Sequence, residues 1–127
     1  MITRPLGRTG HRSSVLAFGG AAFWQDADDA RATAALEDAL ARGVNHVDIA
    51  PSYGDAERLL GAAVARHRGR LFLACKTRER RRAKARDELH RSLERLRTDR
   101  IDLYQFHAVS DASDLDRVLG PGGRAGA

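Results

Sequence analysis

One cysteine in 127 residues, Cys75, leaves no partner for an internal disulfide, which fits a reducing compartment. No window approaches the roughly 20 consecutive apolar residues of a membrane span. The opening Met1-Ile2-Thr3-Arg4-Pro5 lacks the apolar run of a secretory signal, so a cytoplasmic protein without membrane contact is expected. No second histidine or cysteine stands at a zinc-like spacing from His46, and no metal site is expected. G-x-G-x-x-G and P-loop signatures are both absent, which excludes two common glycine-rich phosphate cradles. Low-complexity tracts are absent as well.

What is present is enough for one core: 43% of the residues are hydrophobic, and nothing in the length demands a second domain. The net charge of +5 raises the question of a polyanionic partner. Its densest source is Arg78, Arg80, Arg81, Arg82, Lys84 and Arg86, interrupted by Glu79. No aromatic residue is interleaved there for base stacking. A solvated, basic helix start is therefore expected, not a nucleic-acid surface.

Apolar and polar patterning divides the chain into alternating segments. Val15–Phe18 reads as a first strand stopping at Gly19-Gly20. From Asp28 to Arg42, Ala32, Ala35, Leu36, Ala39 and Leu40 recur at helical spacing, with Gly43 as a stop. Val44–Ala50 is a second strand, and Asp55 is a candidate cap for a helix that runs to Gly69. Leu71–Cys75 suits a strand buried on both faces. A third helix carries Leu89, Leu93 and Leu96, Ile101–Phe106 is a fourth strand, and Ser113 is a candidate cap for a short last helix. Such alternation predicts a parallel α/β sheet, whose functional side chains collect at the carboxyl ends of the strands.

Asp48, Tyr53, Lys76 and His107 stand at or just past those ends. A phenol, an ammonium, a carboxylate and an imidazole can together protonate a carbonyl oxygen while a hydride reaches the carbon. An ordinary tyrosine titrates near pH 10, and a neighbouring ammonium favours its phenolate. Lys76 is the candidate helper of Tyr53, Asp48 the group that holds Lys76, and His107 the donor that orients the carbonyl. Taken singly, each has an ordinary reading as a packing, snorkelling or structural residue. Together, in phase on their strands, they read as a site. Phe72, Ala74 and Lys76 share one face of their strand, so Cys75 should face the helices and be inert. Phe23 and Trp24, in a loop after the first strand, either wall a substrate pocket or cover the sheet end. His46 alternates in phase with Asp48, whereas His11, His67 and His90 read as surface residues.

The strings Val44-Asn45-His46-Val47-Asp48-Ile49-Ala50-Pro51-Ser52-Tyr53-Gly54, Ala74-Cys75-Lys76-Thr77 and Asp102-Leu103-Tyr104-Gln105-Phe106-His107 resemble successive landmarks of the aldo-keto reductases, in order and at similar spacing. Arg4-Pro5-Leu6-Gly7-Arg8-Thr9-Gly10 and Leu16-Ala17-Phe18-Gly19-Gly20 resemble that family's N-terminal hairpin and first barrel strand. The resemblance implies a (β/α)8 barrel of TIM type, of which residues 1–121 supply the N-terminal half, about four parallel strands behind a hairpin, with 122–127 as an unstructured tail. It implies NADPH-linked reduction of an aldehyde or ketone, with Asp48, Tyr53, Lys76 and His107 in the roles given above. Gly19, Gly20, Ala21, Asp48 and Tyr53 would touch the nicotinamide end, and Phe23, Trp24 and His107 the carbonyl substrate.

A whole barrel needs about 250 residues. In similar proteins the seventh and eighth strands hold the cofactor's phosphates, so strong NADPH binding by this polypeptide alone is not expected. Four parallel strands cut from a barrel leave two open edges. Self-association or pairing with a missing C-terminal half is one expectation, and an inactive truncated half-barrel or assembly partner is the rival reading. Arg124-Ala125-Gly126-Ala127 follows Gly122-Gly123 where similar proteins continue into a helix, as a frameshift or early stop would produce.

Overall fold

The computed structural model describes residues 1–24 and 28–120; the tail expected over 122–127 lies outside the described residues. Strands β1 (Thr3–Pro5) and β2 (Arg12–Ser14) form an antiparallel hairpin in which Thr3 faces Ser14. Four parallel strands follow, β3 (Phe18–Gly19), β4 (His46–Asp48), β5 (Phe72–Thr77) and β6 (Leu103–Phe106), each beside the next in chain order. Helices α1 (Asp29–Ala41), α2 (Ala56–His67) and α3 (Arg82–Arg95) make the crossovers, and α4 (Ala112–Leu119) follows β6. This is the α/β architecture of a partial (β/α)8 barrel with an N-terminal hairpin. No described helix is long and apolar enough to cross a membrane.

Register decides which residues share a face. Gly19 pairs with Asp48, Asp48 with Ala74, and Lys76 with Gln105. Partners in a parallel ladder point the same way, so His46, Asp48, Phe72, Ala74, Lys76 and Gln105 line one face of the sheet. Val47, Ile49, Leu73 and Cys75 point oppositely and pack with Leu36, Leu40, Leu60, Val64 and Leu96 in the core. Fully burying a leucine such as Leu36, Leu60 or Leu73 contributes about 1.5–3 kcal/mol. Cys75 sits on this helix-covered face, as its phase requires.

Helix ends follow from local chemistry. Asp28 caps α1 by accepting from the Arg31 amide at 2.7 Å. Gly43, at φ +87°, ends it in a Schellman turn: its amide donates to Leu40 O, and the Val44 amide donates to Ala39 O. Two expected caps are corrected. Asp55 precedes α2 but makes no side-chain cap; its backbone is not extended there, and its carboxylate lies 3.7 Å from Arg58. For α4 the cap is Asp111, which accepts from the Asp114 amide at 2.8 Å, while Ser113 lies inside the first turn and donates to Asp111.

The first strand also shifts, from Val15–Phe18 to Phe18–Gly19. The hairpin continues to Val15, whose amide donates to Ile2 O, and the chain then bends where Ser14 Oγ donates to Leu16 O. Val15 and Leu16 are left 50% and 61% exposed beside the outer strand. Leu96 is fully buried, but Leu89 and Leu93 are only half-buried, and Ser92 is the residue that α3 buries. Two histidines expected on the surface are engaged. His11 stacks on Phe72 with ring centres 4.5 Å apart, and His67 bonds to Glu37 at 3.0 Å. His46 meets the edge of Phe72 and pairs with Ser13 Oγ at 2.9 Å, so the hairpin is sewn to the amino ends of β4 and β5.

Candidate active site

The carboxyl ends of β4, β5 and β6 converge at the opposite end of the sheet. Lys76, near the end of β5, donates from Nζ to Asp48 Oδ1 on β4 at 2.5 Å, and reaches Ile49 O at 3.5 Å. Its side chain is only 14% exposed, so the lysine is held at the sheet and does not snorkel away from it. The Pro51-Ser52-Tyr53 turn after β4 closes by Tyr53 N to Ala50 O, and Ala56 N to Tyr53 O leads into α2. That turn brings the Tyr53 ring under the ammonium, with Nζ 5.1 Å from the ring centre. His107, one residue past β6, extends the ladder by donating its amide to Thr77 O at 2.7 Å. Its ring meets Tyr53 edge-on, centres 5.7 Å apart at 89°. All four candidate catalytic residues, Asp48, Tyr53, Lys76 and His107, are brought together.

The chain has a second tyrosine with a different setting. Tyr104 points to the helix layer, its hydroxyl donates to Ala85 O, and burial pushes its phenol up to about 12. Burial, then the charges of Lys76 and Arg78, pull the His107 imidazole below its ordinary value and favour the neutral ring. His46 is likewise lowered by burial.

The other expected site residues divide. Trp24 lies beside Tyr53, ring centres 6.4 Å apart, and Gly54, at φ +57°, passes so close that a Cβ would sit 2.6 Å from Trp24 O. Phe23 stacks on Phe18 at 5.7 Å and packs against the core, so it is a covering residue in this arrangement. Gly19 and Ala21 are exposed at the end of β3, and a Cβ at Gly19 would meet nothing within 4 Å. Gly20 is small for another reason: a Cβ there would lie 2.9 Å from Ile49 Cγ1. The backbone at Gly19, paired with Asp48, and at Ala21 is open enough to hold a flat group, whereas Gly20 is committed to packing.

A cleft of about 140 Å³ opens among Pro51, Ser52, Lys76, Arg78, Glu88 and His107. Several of these escaped the sequence reading. Ser52 Oγ lies 3.1 Å from His107 Nδ1, and Glu88 accepts from Thr77 Oγ1. Arg80, expected to be solvated, is 15% exposed and donates to His107 O, Ala108 O and Asp114. It clasps the turn at Ala108, whose φ is +53°. The only sequence signal for Ser52 was its place beside Tyr53; for Arg80 there was none, because a cluster of arginines hides the one that is buried.

A four-strand parallel sheet with Asp, Tyr, Lys and His gathered at its carboxyl ends defines a class. The chain belongs to the aldo/keto reductase family, whose model matches residues 15–120. Among curated relatives, aldo-keto reductase YhdN of Bacillus subtilis is 33% identical over 117 residues, covering 78% of this chain and 35% of that one. A solved aldo-keto reductase of Pseudomonas aeruginosa superposes with a TM-score of 0.84 at 35% identity, covering 96% of this chain and 51% of the other. An aldo/keto reductase of Klebsiella pneumoniae, 24% identical, shares the fold with a TM-score of 0.71 over 88% of this chain and 44% of that one; that protein was solved with NADP and acetate. The chain thus spans about a third of the length of YhdN and about half of the Pseudomonas structure.

Proposed function

We propose that this chain carries the proton-handling part of an NADPH-linked reductase that converts an aldehyde or ketone to an alcohol. The observation that carries the reading is the Lys76–Asp48 pair at 2.5 Å, set over the ring of Tyr53. Tyr53 donates its phenolic proton to the carbonyl oxygen. The Lys76 ammonium stabilises the phenolate left behind, and Asp48 holds that ammonium in place through its hydrogen bond. A neutral His107 donates a hydrogen bond to the same oxygen and sets the angle of the carbonyl. NADPH, when bound, supplies the hydride. Gly19, Ala21, Asp48 and Tyr53 would hold its nicotinamide end, and Trp24 would flank the substrate beside Tyr53.

The test is oxidation of NADPH by the purified chain, alone and co-expressed with the remaining barrel segment of YhdN, against aldehydes of varied size. Turnover lost in Tyr53→Phe supports the reading. No NADPH consumption in either form overturns it.

The outer strands favour a second component. Among the described residues β3 and β6 each have one neighbouring strand, and Val15 and Leu16 are exposed beside β3. An assembly in which a second copy or a C-terminal half covers these edges would complete the barrel around the site. Light scattering across a concentration series tests this: a strict monomer that also ignores the complementary segment argues against it.

A further inference from the structure

His107 has two ring nitrogens, and the proposed reaction needs a particular one to carry the proton. A neutral imidazole has one N–H donor and one bare acceptor, and which is which is set by the partner of the other nitrogen. Nδ1 of His107 lies 3.1 Å from Ser52 Oγ. We infer that Ser52 is a positioning residue: its hydroxyl donates to Nδ1, fixes the proton on Nε2, and so turns an N–H donor toward the reacting carbonyl. The assignment deepens the reductase reading and rests on it for the identity of the group that Nε2 addresses.

The neutral ring and the donor needed at Nε2 set the direction of that bond, and the held main chain sets its place. A serine hydroxyl can give or take a hydrogen bond, so the surroundings decide. Lys76, Arg78 and Arg80 are the cations around the ring, Asp48 is the anion that opposes them, and with burial the balance favours the neutral imidazole. In that neutral ring a proton on Nδ1 would leave Nε2 as a bare acceptor, which repels a carbonyl oxygen. The backbone around His107 is also immobilised on both sides, by its own amide to Thr77 O at 2.7 Å and by Arg80 to its carbonyl at 2.8 Å. With the main chain held, the remaining freedom is rotation of the side chain, which the edge-on contact with Tyr53 and the hydrogen bond to Ser52 restrict.

Ser52 reaches His107 from the turn that carries Tyr53, one residue away. A single turn therefore delivers the proton donor and sets the second donor, which links the orientation of the two groups that must meet one oxygen.

The experiment is a long-range proton–nitrogen correlation spectrum of the chain labelled at the histidine ring nitrogens, recorded where His107 is neutral. The expected result is a pyridine-like Nδ1 and a pyrrole-like Nε2 for His107, retained in Ser52→Thr and averaged between tautomers in Ser52→Ala. A pyrrole-like Nδ1 in the unaltered chain overturns the assignment without any variant. So does a Ser52→Ala spectrum that keeps the unaltered tautomer signature. The ring signals are read without turnover, so failure of the reductase reading and failure of the Ser52 assignment are separate results. In any form that turns over, Ser52→Ala should lower kcat/KM by about two- to tenfold, as expected for one net hydrogen bond, and Ser52→Thr should restore it.

Discussion

Lys76 on β5 and Asp48 on β4 are joined by a 2.5 Å hydrogen bond between neighbouring strands, with the lysine side chain 14% exposed and the aspartate 34%. The pair is sheltered enough to be directional and open enough for solvent to screen part of its attraction. Lys76→Met leaves Asp48 without its cation and should cost about 1–2 kcal/mol, a charge-assisted bond discounted for exposure. A urea melt measures it. On the proposed reductase reading the same variant should also lose turnover, which separates it from substitutions that only destabilise.

Tyr53→Phe removes one oxygen and keeps the ring that packs against Trp24, His107 and the Lys76 ammonium. The urea midpoint should be nearly unchanged. Turnover should fall by about 10²- to 10⁴-fold, the usual worth of a positioned general acid. Turnover equal to the unaltered chain would remove Tyr53 from the chemistry.

His107 and His46 are both held below their ordinary titration range, chiefly by burial; the charges of Lys76 and Arg78 add to this at His107, whereas at His46 the Asp48 carboxylate opposes it. Between the folded value and the unfolded one near pH 6.5, the unfolded chain binds more protons, so stability rises with pH. It should be complete above about pH 6.5 and decline as the pH falls through that value. His107→Gln and His46→Gln should each flatten the slope in denaturant melts across this window. Glu37, held low by His67 and Arg66, acts in a separate window: its contribution is present above the ordinary carboxylate range and is lost as the pH falls through it.

Gly61 sits where α2 crosses α3, and a Cβ there would run into the Arg95 carbonyl oxygen. Alanine in place of a helical glycine normally gains about 1 kcal/mol. Here the obstacle is backbone, which cannot rotate aside, and overpacking costs about 1–3 kcal/mol. Gly61→Ala should therefore lower the thermal midpoint, and a rise would show that the two helices can separate.

Cys75 is fully buried, donates toward Glu57 at 3.7 Å, and has its thiol pushed up to about 12 by burial and the Glu57 charge. Iodoacetamide at neutral pH should leave it unmodified in the native chain and label it rapidly in urea, read by mass shift. Labelling without denaturant would mean that β5 opens locally.

Much of the fold and of the site is legible in the sequence. The stretch from Asp28 to Gly43 carries its own apolar stripe and stop, and those signals are local. Asp48, Lys76 and His107 could be grouped because strand alternation and right-handed crossovers send successive strand ends to one side. Asp55 and Ser113 misled because their residue type suits a cap, whereas capping depends on the backbone angle at that position. Val15 and Leu16 misled because an apolar run does not say where a hairpin ends and a sheet begins.

The order of strands and helices, the face of Cys75 and the convergence of Asp48, Tyr53, Lys76 and His107 were determined by the sequence itself, since period, turn residues and spacing act over a few neighbours. Which arginine of the basic cluster folds onto the His107 turn, why His11 covers Phe72, and how Ser52 meets His107 were decided only by the tertiary structure. Ser52 and His107 stand 55 residues apart, and Arg80 and the His107 carbonyl 27. No local pattern encodes a contact at that separation; it exists only once packing has fixed where the two segments lie.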